Sequence, residues 1–211
     1  MSTLGTIYLE SAIKRFLTYK TLGDMTFAQL EEKDFYFVPW IVPTSNVVRS
    51  RERANDGPSA ETPVASPAPS EESNSIAVII QHMHGNMVSR WTNFLTEDGE
   101  KEGRNRDTEF SLPAAGKDGL IKLWEEGWTC LFDTLRSLTA DDLLRTIYIR
   151  HEPLSAIDAI NRQLAHYPHH VGQIVYIGKM ICNEKWQSLS IPKGASGDFN
   201  QQMQDKHAPG K

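Results

Sequence analysis

The run Ile76-Ala77-Val78-Ile79-Ile80 does most to limit what this 211-residue chain can fold into. It opens a stretch, about Ser75 to Leu95, that reads as a helix with Asn74 placed to cap it. A helix that is apolar on all sides has to be enclosed by other elements, so this segment is predicted to be central. Three further segments can enclose it. From Leu4 to Leu22 the apolar residues Leu4, Tyr8, Leu9, Ala12, Ile13, Phe16 and Leu17 fall at helical spacing, with Thr3 able to cap the start and Gly23 able to end the helix. A third helix is predicted from about Gly119 to Leu138, carrying Trp124 and Trp128 among its leucines. A fourth, about Ala156 to Cys182, is opened by the capping-box pattern Ser155-x-x-Asp158. Four long helices with polar connections predict an all-α four-helix bundle, and strand patterns are too few for a sheet. Trp91, Trp124 and Trp128 are expected in its core or at an interface.

The connections are legible in outline. A short, partly extended link carries Phe35, Phe37, Trp40 and Pro43. Ser50 to Ser73 holds Pro58, Pro63, Pro67 and Pro69 among Ser, Ala and Glu, and such a stretch buries too little surface to offset its ordering entropy. It is expected to be a disordered insertion (50–73) inside one domain spanning 1–193. Glu97 to Phe110 reads as a polar loop. Thr139-x-x-Asp142 resembles a second capping box for one or two turns, and Thr146 to Arg150 alternates as a brief extended segment. From 194 to 211 the chain is a polar tail, expected to be loosely held.

The formal net charge is −5, and no basic stripe is evident, which argues against nucleic-acid binding. No apolar stretch suits a membrane span, and Met1 to Gly5 has no signal-peptide pattern. Two distant cysteines, Cys130 and Cys182, form no CxxC pair and read as buried free thiols. A cytoplasmic location is expected.

The seven histidines carry the chemistry: five of them fall in two of the helices. His166 and His170 lie four apart on one helix face, with β-carbons about 6 Å apart, and two such imidazoles can share a divalent cation. No glutamate follows His166, so a zinc-protease helix with its built-in general base is disfavoured. A third ligand has to come from the second helix, from His82 or His84. At 100° per residue His84 lies nearer the stripe of Ile76, Ile80, Met83 and Met87, and His82 shares a side with Val78, Ile79 and Asn86. Because the helix is apolar all round, the angles leave both open. Pro168, inside the fourth helix, removes a hydrogen bond and is expected to kink it between the paired histidines.

A set of segments spread over nearly the whole chain resembles the DinB-like superfamily of bacterial metal-binding four-helix bundles, and more closely one of its uncharacterised subfamilies. They are Asn74 to His82, Gly85-Asn86-Met87, Ser89-Arg90-Trp91, Phe94-Leu95, Asp98-Gly99-Glu100-Lys101, Arg104 to Asp107 with Glu109-Phe110, His166-Tyr167, His170 to Val175, and Lys179. The resemblance implies a metal held by one histidine of the second helix and two of a later one, which here are His82, His166 and His170, with His84 and His169 as bystanders. It also implies a thiol-dependent S-transferase or a hydrolase acting on a small molecule, in the first case with a low-molecular-weight thiol as co-substrate, and a homodimer. A non-catalytic, stress-related metal- or small-molecule-binding protein is the alternative. Zinc comes first on ligand type, and nickel, iron and manganese are also compatible.

Around that trio, Arg104 and Arg106 are candidates to hold an anionic substrate or thiol from a loop capping the metal cleft, set against a surface loop stitched by arginine to Asp107 and Glu109. Asn86 and Gln173 are candidates to orient a ligand or line the site, as is Tyr167.

Overall fold

A computed structural model describes residues 3–39 and 74–208. Helix α1 spans Leu4–Phe27 and is followed by a 3-10 turn at Glu32–Tyr36. Helix α2 is Ile76–Trp91, α3 is the single turn Arg106–Glu109, and α4 is Lys117–Ser137. A 3-10 turn at Asp141–Leu144 leads to strands β1 (Thr146–Ile149) and β2 (Glu152–Ser155), then to α5 (Ala156–Cys182) and, after a further 3-10 turn, α6 (Ser196–His207). The proposed insertion at 50–73 lies outside the described residues, as do Trp40 and Pro43. No helix among the described residues is long and apolar enough to cross a membrane.

Helices α1, α2, α4 and α5 form the bundle, with α2 packed most extensively on α4 and α1 on α5. Ile76 to Ile80 are all buried, as a helix apolar on every side requires. At the centre Phe16 meets Trp91, Trp128 and Tyr167 at ring-centroid distances of 6.5, 6.3 and 5.9 Å. Trp91, Trp124 and Trp128 are all fully buried, and the Trp124 indole N–H donates to Asp24 Oδ1 at 2.7 Å. Cys130 and Cys182 are free thiols as expected, but half-buried rather than buried.

The caps follow local sequence, with two corrections. Thr3 and Ser155 cap α1 and α5 by accepting from Thr6 N and Asp158 N. Helix α2 is capped by Ser75, whose hydroxyl accepts from Val78 N, rather than by Asn74. Gly23 does not end α1, which continues to Phe27. A Cβ there would fall 2.7 Å from Trp124 Cη2, so the glycine serves the close approach of the tryptophan ring. Thr139 and Asp142 cap each other reciprocally before the 3-10 turn.

Thr146 to Ile149 is extended as read, whereas Arg150 is not, and the strand belongs to a two-stranded antiparallel hairpin that the sequence reading did not foresee. Its two-residue turn, Arg150-His151, has φ of 55° and 64°. Such a turn favours Asn-Gly, and each non-glycine residue in the left-handed region costs of order 1–3 kcal/mol. The carboxylate of Asp98 offsets this by accepting both turn N–H groups at 2.8 Å, while Gly99 N donates to Tyr148 O at 2.8 Å. The C-terminal tail forms the exposed helix α6, with no buried residue.

Candidate metal centre

Helix α2 brings His82, and the middle of helix α5 brings His166 and His170, into one cluster. His82 is 5% exposed and the other two are half-buried. Among the described residues these three form one group that could hold a metal ion, each offering a ligand atom within 4.8 Å of the others. Helix α5 runs unbroken through Pro168, and the His166 and His170 Nε2 atoms still meet at 3.0 Å. In a tetrahedral site with metal–nitrogen bonds of about 2.0–2.1 Å, ligand nitrogens lie roughly 3.3 Å apart, so this pair is within a few tenths of an ångström of that spacing.

Each ring is fixed through its other nitrogen. His166 Nδ1 lies 3.1 Å from Gln163 Oε1, and His170 Nδ1 lies 3.1 Å from Gln173 Oε1. An amide oxygen only accepts, so both Nδ1 atoms are the protonated donors and both Nε2 atoms carry lone pairs. Two lone pairs facing each other at 3.0 Å make no hydrogen bond, and a divalent cation held by both rings would resolve the conflict. His82 Nδ1 lies 2.9 Å from Glu109 Oε2, which leaves Nε2 as its nitrogen for a metal. This carboxylate–histidine pair is the arrangement that orients ligating imidazoles and raises their basicity.

Burial, followed by the nearby His170 and His82, pushes the His166 imidazole down to about 3. Burial does the same to His170, down to about 4, against an opposing hydrogen bond with Gln173. Both rings are therefore neutral at ordinary pH, the form that binds metal.

Glu109 is 7% exposed and doubly held. Arg104 donates from Nε to Oε1 at 2.7 Å and from Nη2 to Oε2 at 2.8 Å, a bidentate fork. Burial alone would raise the Glu109 carboxyl, but the hydrogen bonds from His82 and Arg104 outweigh it and hold it below the usual carboxylate range. Arg104 Nη1 also reaches Glu100 Oε2 at 3.1 Å, which Arg90 Nη1 contacts at 2.9 Å. The α3 segment is fastened to α2 by Gln81, whose side-chain amide donates to the carbonyls of Thr108, Glu109 and Ser111. Gly85, one helical turn from Gln81, has no Cβ because Glu109 Cδ would lie 2.8 Å from it.

The histidines open on a cleft of about 440 Å³. Phe110 stacks on His82 at 4.7 Å, and the Arg106 guanidinium lies over the Phe110 ring at 4.8 Å. Arg104, Arg106 and Asn86 all line the cleft. Asn86 Oδ1 accepts from Tyr167 OH at 3.0 Å, so the group it can offer to the cleft is its amide N–H. Gln173 acts behind the cleft, accepting from His170 and donating to His169 Nε2 at 3.1 Å. His84 turns away toward α4, with Nε2 3.4 Å from Glu126. His169 lies on the cleft rim, exposed and outside the trio. A larger hollow of about 740 Å³ lies between the ends of α1 and α5, beside Gln29 and Cys182, without a comparable convergence of groups.

The sequence reading missed Glu109 as the partner of His82, Gln163 as the partner of His166, and Arg90, Arg150 and Arg162 as lining residues. Gln163 had a signal, being three residues before His166 on one helix face. Glu109 had none in local spacing, since 27 residues separate it from His82.

The model of one family, described as a protein of unknown function (DUF1572), matches residues 52–195. The chain belongs to this family. The matched region contains the whole of α2 to α5, and with them all three histidines and Glu109. Comparison with curated proteins and with solved structures found no match. Helix α1 of this DUF1572 member lies outside the matched region.

Proposed function

We propose that this DUF1572 protein is a metal-dependent enzyme of the DinB-like type, acting on a small molecule as a thiol-dependent S-transferase or a hydrolase. The observation that carries this reading is the convergence of three imidazoles whose Nδ1 atoms are all engaged by Glu109, Gln163 and Gln173. A bound divalent metal supplies Lewis acidity, lowering the pKa of a water or thiol ligand toward neutrality and polarising a carbonyl oxygen. Three neutral donors leave positions open for that ligand. Zinc is the first candidate, followed by nickel, iron and manganese.

The chain's own residues have separable roles. Glu109 orients His82, and Arg104 keeps Glu109 ionised and in place. Gln163 and Gln173 fix the tautomers of the α5 pair. Phe110 covers one face of His82 and restricts water there. The test supplies the metal-loaded protein with common thiols and electrophiles and follows metal-dependent loss of free thiol. A parallel arm follows hydrolysis of esters and amides. Turnover that disappears on chelation and returns on reloading is the expected result.

One observation favours a second reading, a non-catalytic metal- or small-molecule-binding protein. Among the described residues no carboxylate lines the cleft, and Glu109 is committed to His82 and Arg104, so none of them offers an acidic general base to a bound substrate. Failure of every thiol, ester and amide with fully loaded protein selects that reading. The DinB-like likeness also extends the proposal to a homodimer, which light scattering of the purified protein reads directly.

A further inference from the structure

Among the described residues, the cleft over the histidines is lined by five arginines, Arg90, Arg104, Arg106, Arg150 and Arg162, and by no Asp or Glu. Three carboxylates outside the cleft partner four of them: Glu109 with Arg104; Glu100 with Arg90, Arg104 and Arg150; and Glu152 with Arg162. Five guanidinium groups against these three carboxylates and that of Asp98, which holds the Arg150 turn, leave an excess of one positive charge among the described residues before any metal is added. Three neutral imidazole ligands would contribute nothing to cancel the charge of a divalent ion.

The arginines differ in what they can do. Arg90 and Arg104 are buried along their side chains and act as the scaffold for Glu100 and Glu109. Arg106, Arg150 and Arg162 are exposed on the rim. Arg106 makes no ion pair among the described residues and rests on Phe110. Arg150 reaches Glu100 at 3.3 Å and Arg162 reaches Glu152 at 3.2 Å, with roughly half of each arginine side chain exposed, so both pairs are weakened by solvent. Arg150 is also carried on the left-handed hairpin turn, and Asp98 holds that turn by both of its N–H groups. The fold thus places an arginine at the cleft through a backbone conformation that arginine does not favour.

We infer that the rim formed by Arg106, Arg150 and Arg162 recognises a small dianionic molecule and delivers it to the three-histidine centre. Its substrate class is a phosphate monoester or a dicarboxylate, whose paired oxygens match the guanidinium fork. The reading rests on the proposed metal site for what happens after binding, but the binding itself does not need the metal.

Calorimetric titrations with inorganic phosphate and with succinate, at low ionic strength, test it on metal-free and metal-loaded full-length protein. Binding of one of them, at least tenfold tighter than that of neutral succinamide, is expected in both forms, and the tighter of the two ligands names the chemistry. Arg106→Gln, Arg150→Gln and Arg162→Gln together should lower that affinity at least tenfold with the helical circular dichroism unchanged. Asp98→Ala, which keeps all three arginines but frees the turn, should lower it by a smaller factor. Equal affinity for dianions and succinamide, or full affinity in the triple variant, overturns the inference. Retained dianion binding by a protein that takes up no metal would sink the metal reading and leave this one standing, and metal uptake without dianion preference would do the reverse.

Discussion

His82 Nδ1 and Glu109 Oε2 are 2.9 Å apart in a buried contact between α2 and the end of α3, and Arg104 closes the other side of the carboxylate. This one relationship ties a ligand on a bundle helix to the loop that covers it. Glu109→Gln keeps the shape but removes the charged partner that orients His82. The expected loss in metal affinity is about 10- to 100-fold, read by competition with a chelator of known affinity.

Gly85→Ala tests the same contact from the other side. A Cβ at position 85 cannot coexist with Glu109 where it stands. The carboxylate has to move, and His82 loses its partner. Alanine favours helix over glycine by about 1 kcal/mol, so the fold itself gains locally. Metal affinity should fall about tenfold while the far-ultraviolet circular dichroism of α2 to α5 is kept, a combination that a merely destabilising substitution would not give.

Acid should weaken the metal-free protein through the α5 pair. The folded-state pKa values of His166 and His170 are depressed to about 3 and about 4. In the unfolded chain both titrate near their ordinary value of about 6.5, so between there and about 4 the unfolded state binds more protons. Stability is fully present above pH 6.5 and falls as the pH drops. Urea midpoints measured from pH 7.5 to pH 4.5 should decline, and the decline should be shallower in a His166→Gln/His170→Gln variant.

Trp128 is fully buried and touches Phe16, Trp124, Phe132 and Tyr167. Trp128→Ala should cost about 3–5 kcal/mol in denaturant unfolding, in line with other large-to-small core changes.

The bundle was legible because its helices carry strong periodicity and local caps. Ser155 lies three residues before Asp158, and the helix it opens runs from Ala156 to Cys182 as read. The pairing of His166 with His170 was equally local. The choice between His82 and His84 was not, because an apolar helix surrounded by others offers no polar face to orient it. The fold settles the geometry by turning His84 toward Glu126 and His82 toward α5.

Gly23 was misread because a glycine near a helix end looks the same whether it stops the helix or admits a tryptophan ring. The anion rim was legible only in part, since Arg106 was read from its own loop whereas Arg150 and Arg162 were not. Arg106 and Arg150 are 44 positions apart in sequence and meet one cleft only because Asp98 pins the hairpin turn against the loop after α2. The segments that carried the DinB-like resemblance include Ser89-Arg90 and Asp98 to Lys101. In the structure they touch, with Ser89 Oγ donating to Gly99 O at 2.7 Å and accepting from Lys101 N at 3.1 Å.

The central claim is that His82, His166 and His170 hold a metal, and metal analysis of the purified and reloaded protein tests it most directly. The expected result is about one divalent ion per chain, bound by the wild type and by His84→Ala but lost in His82→Ala, His166→Ala and His170→Ala. Failure to bind zinc, nickel, iron or manganese, or loss of the ion in His84→Ala with retention in His82→Ala, would contradict it.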